Sequence, residues 1–233
     1  MEDQYFNPFP GLRPFEEEEE HLFFGRETQI DQLSEKLSQN HFLAIIGASG
    51  SGKSSLVKSG LLPILHSGLC SGIGHGWRIG LFRPGEDPIK NLTDCFFSDE
   101  LLGDSSENEK DSLHAIIETT LRRSDYGIKN VHEQLLSHFD ENILIVVDQF
   151  EELFRFSNTE KQSNSVKRDA DAFINLLLKA SSDKSKKLYI SITMRSDFLG
   201  DCTAFRGLPE AINKGQYLIP RMSRQERKLA ITG

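Results

Sequence analysis

Short apolar runs alternate along the chain with stretches in which apolar residues recur at every third or fourth position. The runs show little alternation between apolar and polar residues, which is typical of strands that are buried on both faces. We predict strands at residues 42–46, 77–82, 143–147, 188–194 and 217–219. Buried strands separated by helices form parallel sheets covered on both sides, so the pattern predicts a three-layer α/β/α sandwich around a five-stranded parallel sheet.

The periodic stretches predict the helices between these strands, at residues 30–37, 54–66, 89–96, 113–121, 128–139 and 166–178. The polar, acidic segment 98–110 is predicted to be a mobile loop. Residues 1–22, which prolines interrupt, are expected to form an N-terminal arm, and residues 23–220 the core. Ser223 and Glu226 have the spacing of a capping box, which predicts the start of another helix.

Composition and charge narrow the class of protein. The 233 residues suffice for one large domain, and the formal net charge of −8 makes nucleic acid an unlikely partner. The longest apolar runs have five residues, too few to cross a bilayer, and the acidic start does not resemble a signal peptide. Cys70, Cys95 and Cys202 form no disulfide or zinc pattern, which favours a reducing, cytoplasmic setting. The five glutamates at 16–20 suit a solvated helix start or, alternatively, a docking or autoinhibitory segment.

The strongest chemical signal is Gly47-Ala-Ser-Gly-Ser-Gly-Lys-Ser54, which fits the pattern GxxxxGK[ST] between a predicted buried strand and a predicted helix. Glycines let the backbone curl so that successive N–H groups point at an anion, and the helix adds its positive dipole end. Lys53 would reach the β- and γ-phosphates, and Ser54 would offer its hydroxyl to Mg²⁺. We expect the nucleotide to be held by Gly47, Ser49, Gly50, Ser51, Gly52, Lys53, Ser54 and Ser55.

Two further predicted strands end in charged residues, where an open α/β sheet places its ligands. Asp148 is expected to hold Mg²⁺ through water, because Mg²⁺ keeps much of its own hydration shell. Glu151 is the first candidate for orienting or activating the attacking water, with Glu152 second, and only one of the two should face the cleft because neighbouring side chains diverge. Arg195 could contact the γ-phosphate, or it could simply pair with Asp197.

The base is predicted to be adenine. Asn213-Lys-Gly-Gln216 lacks the aspartate of the guanine-binding pattern NKxD and precedes the last predicted strand.

Several segments together closely resemble the novel STAND NTPases, a bacterial group of signal-transduction ATPases within the AAA-like assemblage. The resemblance covers nearly the whole chain. It lies in NPFPGLRPF (7–15), FFGRE (23–27), GASGSGKSSLVKSGLLP (47–63), ILIVVDQFEELF (143–154) and ITMRSDFL (192–199). It implies a P-loop NTPase fold with the strand order 5-1-4-3-2, which periodicity alone does not show.

The resemblance also implies site residues. Phe24, Gly25 and Arg26 would lie beside adenine, and Pro220 would line the same pocket. Asp148 would belong to the Walker B segment, with an acid three residues later, and Arg195 would be the sensor arginine.

The resemblance implies a slow ATPase that acts as a switch and uses ATP/ADP and Mg²⁺. The ATP state of a longer protein would assemble into a homo-oligomer. It would work with sensor and effector partners that are unknown. Family members usually continue into a helical lid, so we expect residues 221–233 to be the truncated start of a helical domain and the chain to be an excised ATPase core. The alternative is a scaffold that binds ATP or ADP without significant turnover, and a P-loop kinase is a weaker one.

Overall fold

The computed structural model of the chain describes residues 10–11, 13–68, 76–103, 107–157, 164–184 and 187–233. Residues 1–9 and 12 of the predicted arm, and Cys70, lie outside these ranges. The described residues form a parallel sheet with helices on both faces. The three-layer sandwich predicted from the hydrophobic pattern is therefore confirmed.

The strands of the sheet run parallel in the order β2-β3-β4-β1-β5. Their bounds are β1 Phe42–Gly47, β2 Trp77–Phe82, β3 Asn142–Val147, β4 Leu188–Arg195 and β5 Gln216–Leu218. This is the predicted order 5-1-4-3-2 read from the other edge of the sheet, so that prediction is also confirmed. The register pairs Gly47 with Arg195 and Val147 with Ile192, which brings the ends of β1, β3 and β4 together at one edge.

The helices cover both faces of this sheet. Their bounds are α1 Glu27–Gln39, α2 Lys53–Ser55, α3 Leu62–His66, α4 Pro88–Phe96, α5 Glu107–Arg123, α6 Gly127–Val131, α7 Glu152–Ser157, α8 Asn164–Ser181, α9 Leu208–Gly215 and α10 Arg224–Thr232. Two π-helical segments, Leu56–Leu61 and His132–Leu136, continue α2 and α6, and 3-10 turns occupy Glu17–Leu22, Ser196–Phe198 and Asp201–Ala204. None of the helices within the described ranges combines the length and apolar character that crossing a membrane requires.

The acidic segment 98–110 differs from its prediction as a loop. Its last residues belong to α5, which begins at Glu107. Within the preceding turn, Leu101 is fully buried, and it packs so closely on β2 that a Cβ atom at Gly80 would lie 2.6 Å from Leu101 Cδ1. The reason is that Leu101, together with its neighbour Leu102, packs against the core and anchors a segment that is polar and acidic overall.

The core consists of two hydrophobic clusters, one on each face of the sheet. Along β1, Ala44 and Ile46 belong to one cluster, whereas Leu43 and Ile45 belong to the other. Each fully buried aliphatic side chain contributes about 1.5–3 kcal/mol relative to exposure, so both faces of the central strands are firmly held. The loops at the carboxyl edge of the sheet therefore start from rigid strands.

Candidate functional site

The loop between β1 and α2 curls back on itself. Gly50 and Gly52 have φ angles of 70° and 84°, a left-handed conformation that glycine adopts without steric cost. A Cβ atom at Gly47 would lie 2.5 Å from Ser51 Oγ, and the Ser51 hydroxyl is buried with no hydrogen-bond partner among the described residues. Lys53 Nζ donates to two carbonyl oxygens of the loop, at 2.9 and 3.1 Å, so the ammonium group lies over the curled backbone.

Ser54 and Asp148 are in direct contact beside this loop. Ser54 Oγ donates to the two carboxylate oxygens of Asp148 at 2.8 and 3.1 Å, and Asp148 is only 2% exposed. Thr193 Oγ1, in β4, donates to the same carboxylate at 2.6 Å and accepts a hydrogen bond from the backbone N–H of Gln149 at 3.0 Å. The structure therefore fixes the carboxylate from two sides.

The turn that follows Asp148 is tight. Gln149 has a φ of 57°, the left-handed region that costs a non-glycine residue roughly 1–2 kcal/mol. The backbone N–H of Phe150 donates to the Thr193 carbonyl oxygen at 2.9 Å, so two consecutive amides of the turn bond to the same residue of β4. These bonds hold the turn in its strained conformation.

The two glutamates after this turn point in different directions. Glu151 is 5% exposed, lines the cleft above the loop, and accepts a hydrogen bond from the backbone N–H of Arg195 at 3.3 Å. Glu152 instead accepts from the backbone N–H of Gly85 at 3.1 Å and is not among the residues that line that cleft. Glu152 thus ties α7 to the loop after β2, while Glu151 faces the space above Lys53.

The Arg195 side chain lines this cleft, and it also forms the ion pair with Asp197 that the sequence offered as the alternative to a phosphate contact. Its guanidinium donates to the two carboxylate oxygens of Asp197 at 3.0 and 2.5 Å, and it lies 5.5 Å from the centre of the Phe198 ring. The hydrogen bond with Asp197 raises the pKa of Arg195 and lowers the pKa of Asp197. Arg195 is therefore held in place at the rim of the cleft.

The cleft above the loop, here called the phosphate cleft, has a volume of about 480 Å³. Among the residues predicted to bind nucleotide or act in catalysis, those that line it are Ser49, Gly50, Gly52, Lys53, Ser54, Ser55, Glu151 and Arg195. Arg13, Arg83 and Arg155 line it as well, so cations outnumber the carboxylate of Glu151. Burial lowers the pKa of Lys53, and the nearby charge of Glu151 opposes that effect.

A second cleft of about 940 Å³, here called the base cleft, adjoins the other side of the loop. Phe24, Arg26 and Pro220 line it, together with Ser51 and with loop residues that the two clefts share. Arg26 is 7% exposed and donates to the Pro220 carbonyl oxygen at 3.0 Å, and its burial lowers its pKa. Three of the four residues that the resemblance assigns to the adenine pocket thus share one cleft.

Gly25, the fourth of these residues, lies under α10. It has a φ of 81°, and a Cβ atom there would lie 2.4 Å from the carbonyl oxygen of Glu226. The capping box predicted for this helix is present: Glu226 N donates to Ser223 Oγ at 3.2 Å, and Ser223 N donates to the Glu226 carboxylate. Gln29 Nε2 donates to the same carboxylate at 2.7 Å, so the capped end of α10 rests on the start of α1.

Besides Arg13 and Arg155, which line the phosphate cleft, two residues that lie against the turn after β3 were not predicted from the sequence: Thr193 and Arg83. Thr193 looked like an ordinary member of an apolar strand, and nothing in its local sequence marks it as a partner of Asp148. Arg83 directly follows β2, just as Asp148 follows β3 and Arg195 ends β4. A charged residue at the end of a strand could therefore have identified Arg83 as a site residue. Its Nε lies 3.8 Å from Asp148 Oδ2, and it can donate to the side-chain oxygen of Gln149 at 2.9 Å.

The residues present fit a nucleotide polyphosphate and Mg²⁺. The unpartnered Ser51 hydroxyl, the left-handed glycines and the surplus of cations suit an anion with several charges. Ser54 and Asp148 offer adjacent hydroxyl and carboxylate oxygens, the donors that Mg²⁺ prefers, and a small protein donor set is usual for this ion.

The comparisons with known proteins agree with this fold. The family model described as "Novel STAND NTPase 1" matches residues 8–233, essentially the whole chain. No curated protein matches the chain significantly.

Solved structures resemble the chain in fold at low sequence identity. A structure of the Aeropyrum pernix ORC2 protein (ADPNP-ADP complexes) aligns with a TM-score of 0.50 and 10% identity over 94% of this chain and 52% of that one. A chain of the Drosophila ORC bound to DNA aligns with a TM-score of 0.50 and 13% identity, over 100% of this chain and 54% of that one. A chain of the E. coli MS115-1 HORMA:CdnC:Trip13 complex aligns with a TM-score of 0.50 and 16% identity, over 92% of this chain and 70% of that one. The chain thus spans about half the length of the two ORC chains.

Proposed function

Because the chain belongs to the novel STAND NTPase 1 family, we propose that it is a nucleotide switch that binds ATP and ADP with Mg²⁺ and hydrolyses ATP slowly. The observation that carries this proposal is the contact between Ser54 and Asp148 beside the curled loop. The Asp148 carboxylate bonds to Ser54, and Ser54 lines the phosphate cleft together with Lys53. A hydroxyl, a carboxylate and a lysine of this kind hold Mg²⁺ and the phosphates in P-loop NTPases, which supports the proposal.

The roles of the residues follow from where they lie. The loop amides and Lys53 would hold the phosphates, while the base cleft with Phe24 and Pro220 would receive adenine. Ser54 and Asp148 would hold Mg²⁺, which supplies positive charge that stabilises the phosphates as charge shifts during transfer. Glu151, buried and facing the phosphate cleft, would orient a water molecule and accept its proton.

Arg195 would distinguish bound ATP from bound ADP by contacting the terminal phosphate. Its guanidinium lies at the rim of the phosphate cleft in an ion pair with Asp197, so a terminal phosphate would compete with that carboxylate for the same donors. In the proposed switch this exchange changes the protein surface, and the ATP state promotes self-assembly. Comparison of the molar mass by light scattering in ADP and in a non-hydrolysable ATP analogue tests the assembly step, and equal masses in the two would count against it.

A second candidate is a scaffold that binds ATP or ADP without significant turnover. The ion pair between Arg195 and Asp197 favours it, because an arginine whose donors are occupied is less available to the terminal phosphate. Phosphate release measured together with the identity of any co-purified nucleotide separates the two candidates. Bound nucleotide with no phosphate release would favour the scaffold.

The binding part of the proposal is tested with Lys53→Ala and its matched control Lys90→Ala, which removes an exposed lysine of α4. Calorimetry should show that the first variant loses at least about tenfold in affinity for ATP and ADP, since a charge-assisted hydrogen bond is worth about 1.5–3 kcal/mol. Lys90→Ala should bind as the wild type does. Equal binding by all three proteins would contradict the assignment of the loop.

The catalytic part is tested with Glu151→Gln, with Glu152→Gln as its neighbour control. Loss of a general base typically lowers the rate about 10²–10⁴-fold. We therefore expect Glu151→Gln to retain nucleotide binding and to lose phosphate release, whereas Glu152→Gln should retain both. Undiminished turnover in the first variant would reject Glu151 as the base.

A further inference from the structure

Within the N-terminal arm, the described residues 15 and 16 are fastened to the helical segment that follows the phosphate-binding loop. The backbone N–H of Phe15 donates to Ser55 Oγ at 3.1 Å. Ser59 Oγ donates to the Glu16 carbonyl oxygen at 2.6 Å, and Lys58 Nζ pairs with the Glu16 carboxylate at 2.7 Å. The glutamate run at 16–20 therefore begins with a residue that docks the arm, in addition to forming a 3-10 turn.

This docking brings Arg13 to the phosphate cleft. Arg13, with Gly11 and Pro14, lines the same cleft as Lys53 and Arg195. The base cleft is lined by Phe15 and Phe24 but not by Arg13. Arg13 is thus placed at the phosphate end of the site, away from the expected position of the base.

The Arg13 guanidinium is oriented by a carboxylate of the arm itself. Its two terminal nitrogens donate to Glu19 at 2.7 and 2.6 Å, and one of them also donates to the Pro14 carbonyl oxygen at 3.0 Å. The pair is half exposed, so it adds little stability, but the two parallel bonds fix the plane of the guanidinium.

The guanidinium retains donors for a ligand. A guanidinium has five N–H donors, and the bonds that the structure describes account for those directed at Glu19 and Pro14. The remaining donors, among them Nε–H, are not engaged within the described part of the chain. A planar, always-charged fork of this kind is well suited to phosphate oxygens.

We propose that Arg13 is a nucleotide-binding residue that contacts the terminal phosphate, and that the described part of the N-terminal arm around it forms a wall of the nucleotide site. This inference rests on the proposed function, because it presumes that the phosphate cleft holds a polyphosphate. It assigns the arm a contact that distinguishes ATP from ADP. Glu19 acts through Arg13 as a positioning residue.

The test measures the affinity of Arg13→Ala for a non-hydrolysable ATP analogue, for ADP and for AMP by calorimetry in the presence of Mg²⁺. We expect about a tenfold loss for the triphosphate, a smaller loss for ADP and none for AMP, because the lost contact is with the terminal phosphate. Arg13→Lys keeps the charge but not the fork, and it should give an intermediate loss in the same order. Glu19→Gln should act in the same direction, while Glu20→Gln, an exposed neighbour on the same turn, should bind as the wild type does.

Lys58→Ala removes the ion pair with Glu16 without changing the side chains of Arg13 or Glu19, so it measures how far weaker docking of this segment by itself lowers the affinity for each ligand. If Arg13→Ala lowers the affinity for all three ligands equally, or leaves the affinity for the triphosphate unchanged, the inference is overturned. If the wild-type protein is folded but binds none of the nucleotides, the proposed function itself fails. Wild-type binding with an unchanged ratio of triphosphate to ADP affinity in Arg13→Ala defeats only the inference.

Discussion

Replacing Thr193 with valine removes one hydroxyl from the centre of the site and leaves the shape of the side chain nearly unchanged. Thr193 is 1% exposed, so water cannot take the place of the hydroxyl. Its Oγ1 donates to the Asp148 carboxylate at 2.6 Å and accepts from the Gln149 N–H at 3.0 Å. The substitution therefore breaks two bonds that hold the turn after β3.

The expected cost follows from these two bonds. A hydrogen bond to a charged group is worth about 1.5–3 kcal/mol, and an unsatisfied buried N–H costs about 1–3 kcal/mol. Asp148 keeps the hydrogen bond from Ser54, and the added methyl group recovers some of the loss, so we expect the free energy of unfolding to fall by about 3 kcal/mol. At 2–4 °C per kcal/mol for a chain of this size, Tm should fall by about 6–12 °C.

Urea denaturation followed by circular dichroism measures this change. Thr193→Ser retains the hydroxyl and should lose less than Thr193→Val. Thr203→Val is the matched control, since Thr203 is an exposed threonine whose hydroxyl only caps a local turn, and its effect should lie within about 0.5 kcal/mol. A Thr193→Val protein as stable as the wild type would refute the claim that Thr193 holds the acidic turn.

Two further outcomes follow from the packing and the charges. Gly215→Ala should abolish folding or cost more than about 4 kcal/mol in a urea titration, because a Cβ atom there would lie 1.9 Å from the Phe42 carbonyl oxygen, whereas Gly200→Ala, with nothing within 4 Å, should be neutral. Hydrogen bonds from Gln29 and Ser223 lower the pKa of Glu226 from 4.5 to about 2. Its stabilising effect is therefore complete above pH 4.5 and is lost as the pH falls toward 2, so amide exchange in α10 should rise in that window, and a Glu226→Gln protein should not show this pH dependence.

The sequence predicted the strands within a residue or two because uninterrupted apolar runs in a parallel sheet leave few alternatives. β5 is shifted by one residue at each end: it was expected at 217–219 and spans Gln216–Leu218, and the Ile219 N–H still donates to the Ile46 carbonyl oxygen at 2.8 Å. The site was predicted where a strand ends in charge, as at Asp148. Periodicity could not reveal the strand order, which came from the resemblance.

Other features could not be predicted because they depend on contacts between distant segments. The helix predicted at 54–66 contains a π-helical stretch, where Gly60 lies against Ile30 so closely that a Cβ atom would be 2.9 Å away. A helical pattern of apolar residues does not distinguish this from a regular α-helix. Likewise, no local signal connects Arg13 with the phosphate cleft, since the link is made through the docking of Glu16 on Lys58.

The absence of a side chain at Gly25 has a mechanical consequence. A Cβ atom at Gly25 would lie 2.4 Å from the Glu226 carbonyl oxygen, and the Glu226 carboxylate is bonded to Gln29. The segment that carries Phe24 is therefore in close contact with the first turn of α10. A movement of Gly25 toward α10 would therefore press on the first turn of that helix. A base that displaced Phe24 in that direction would thereby be felt at α10, on the other side of the glycine.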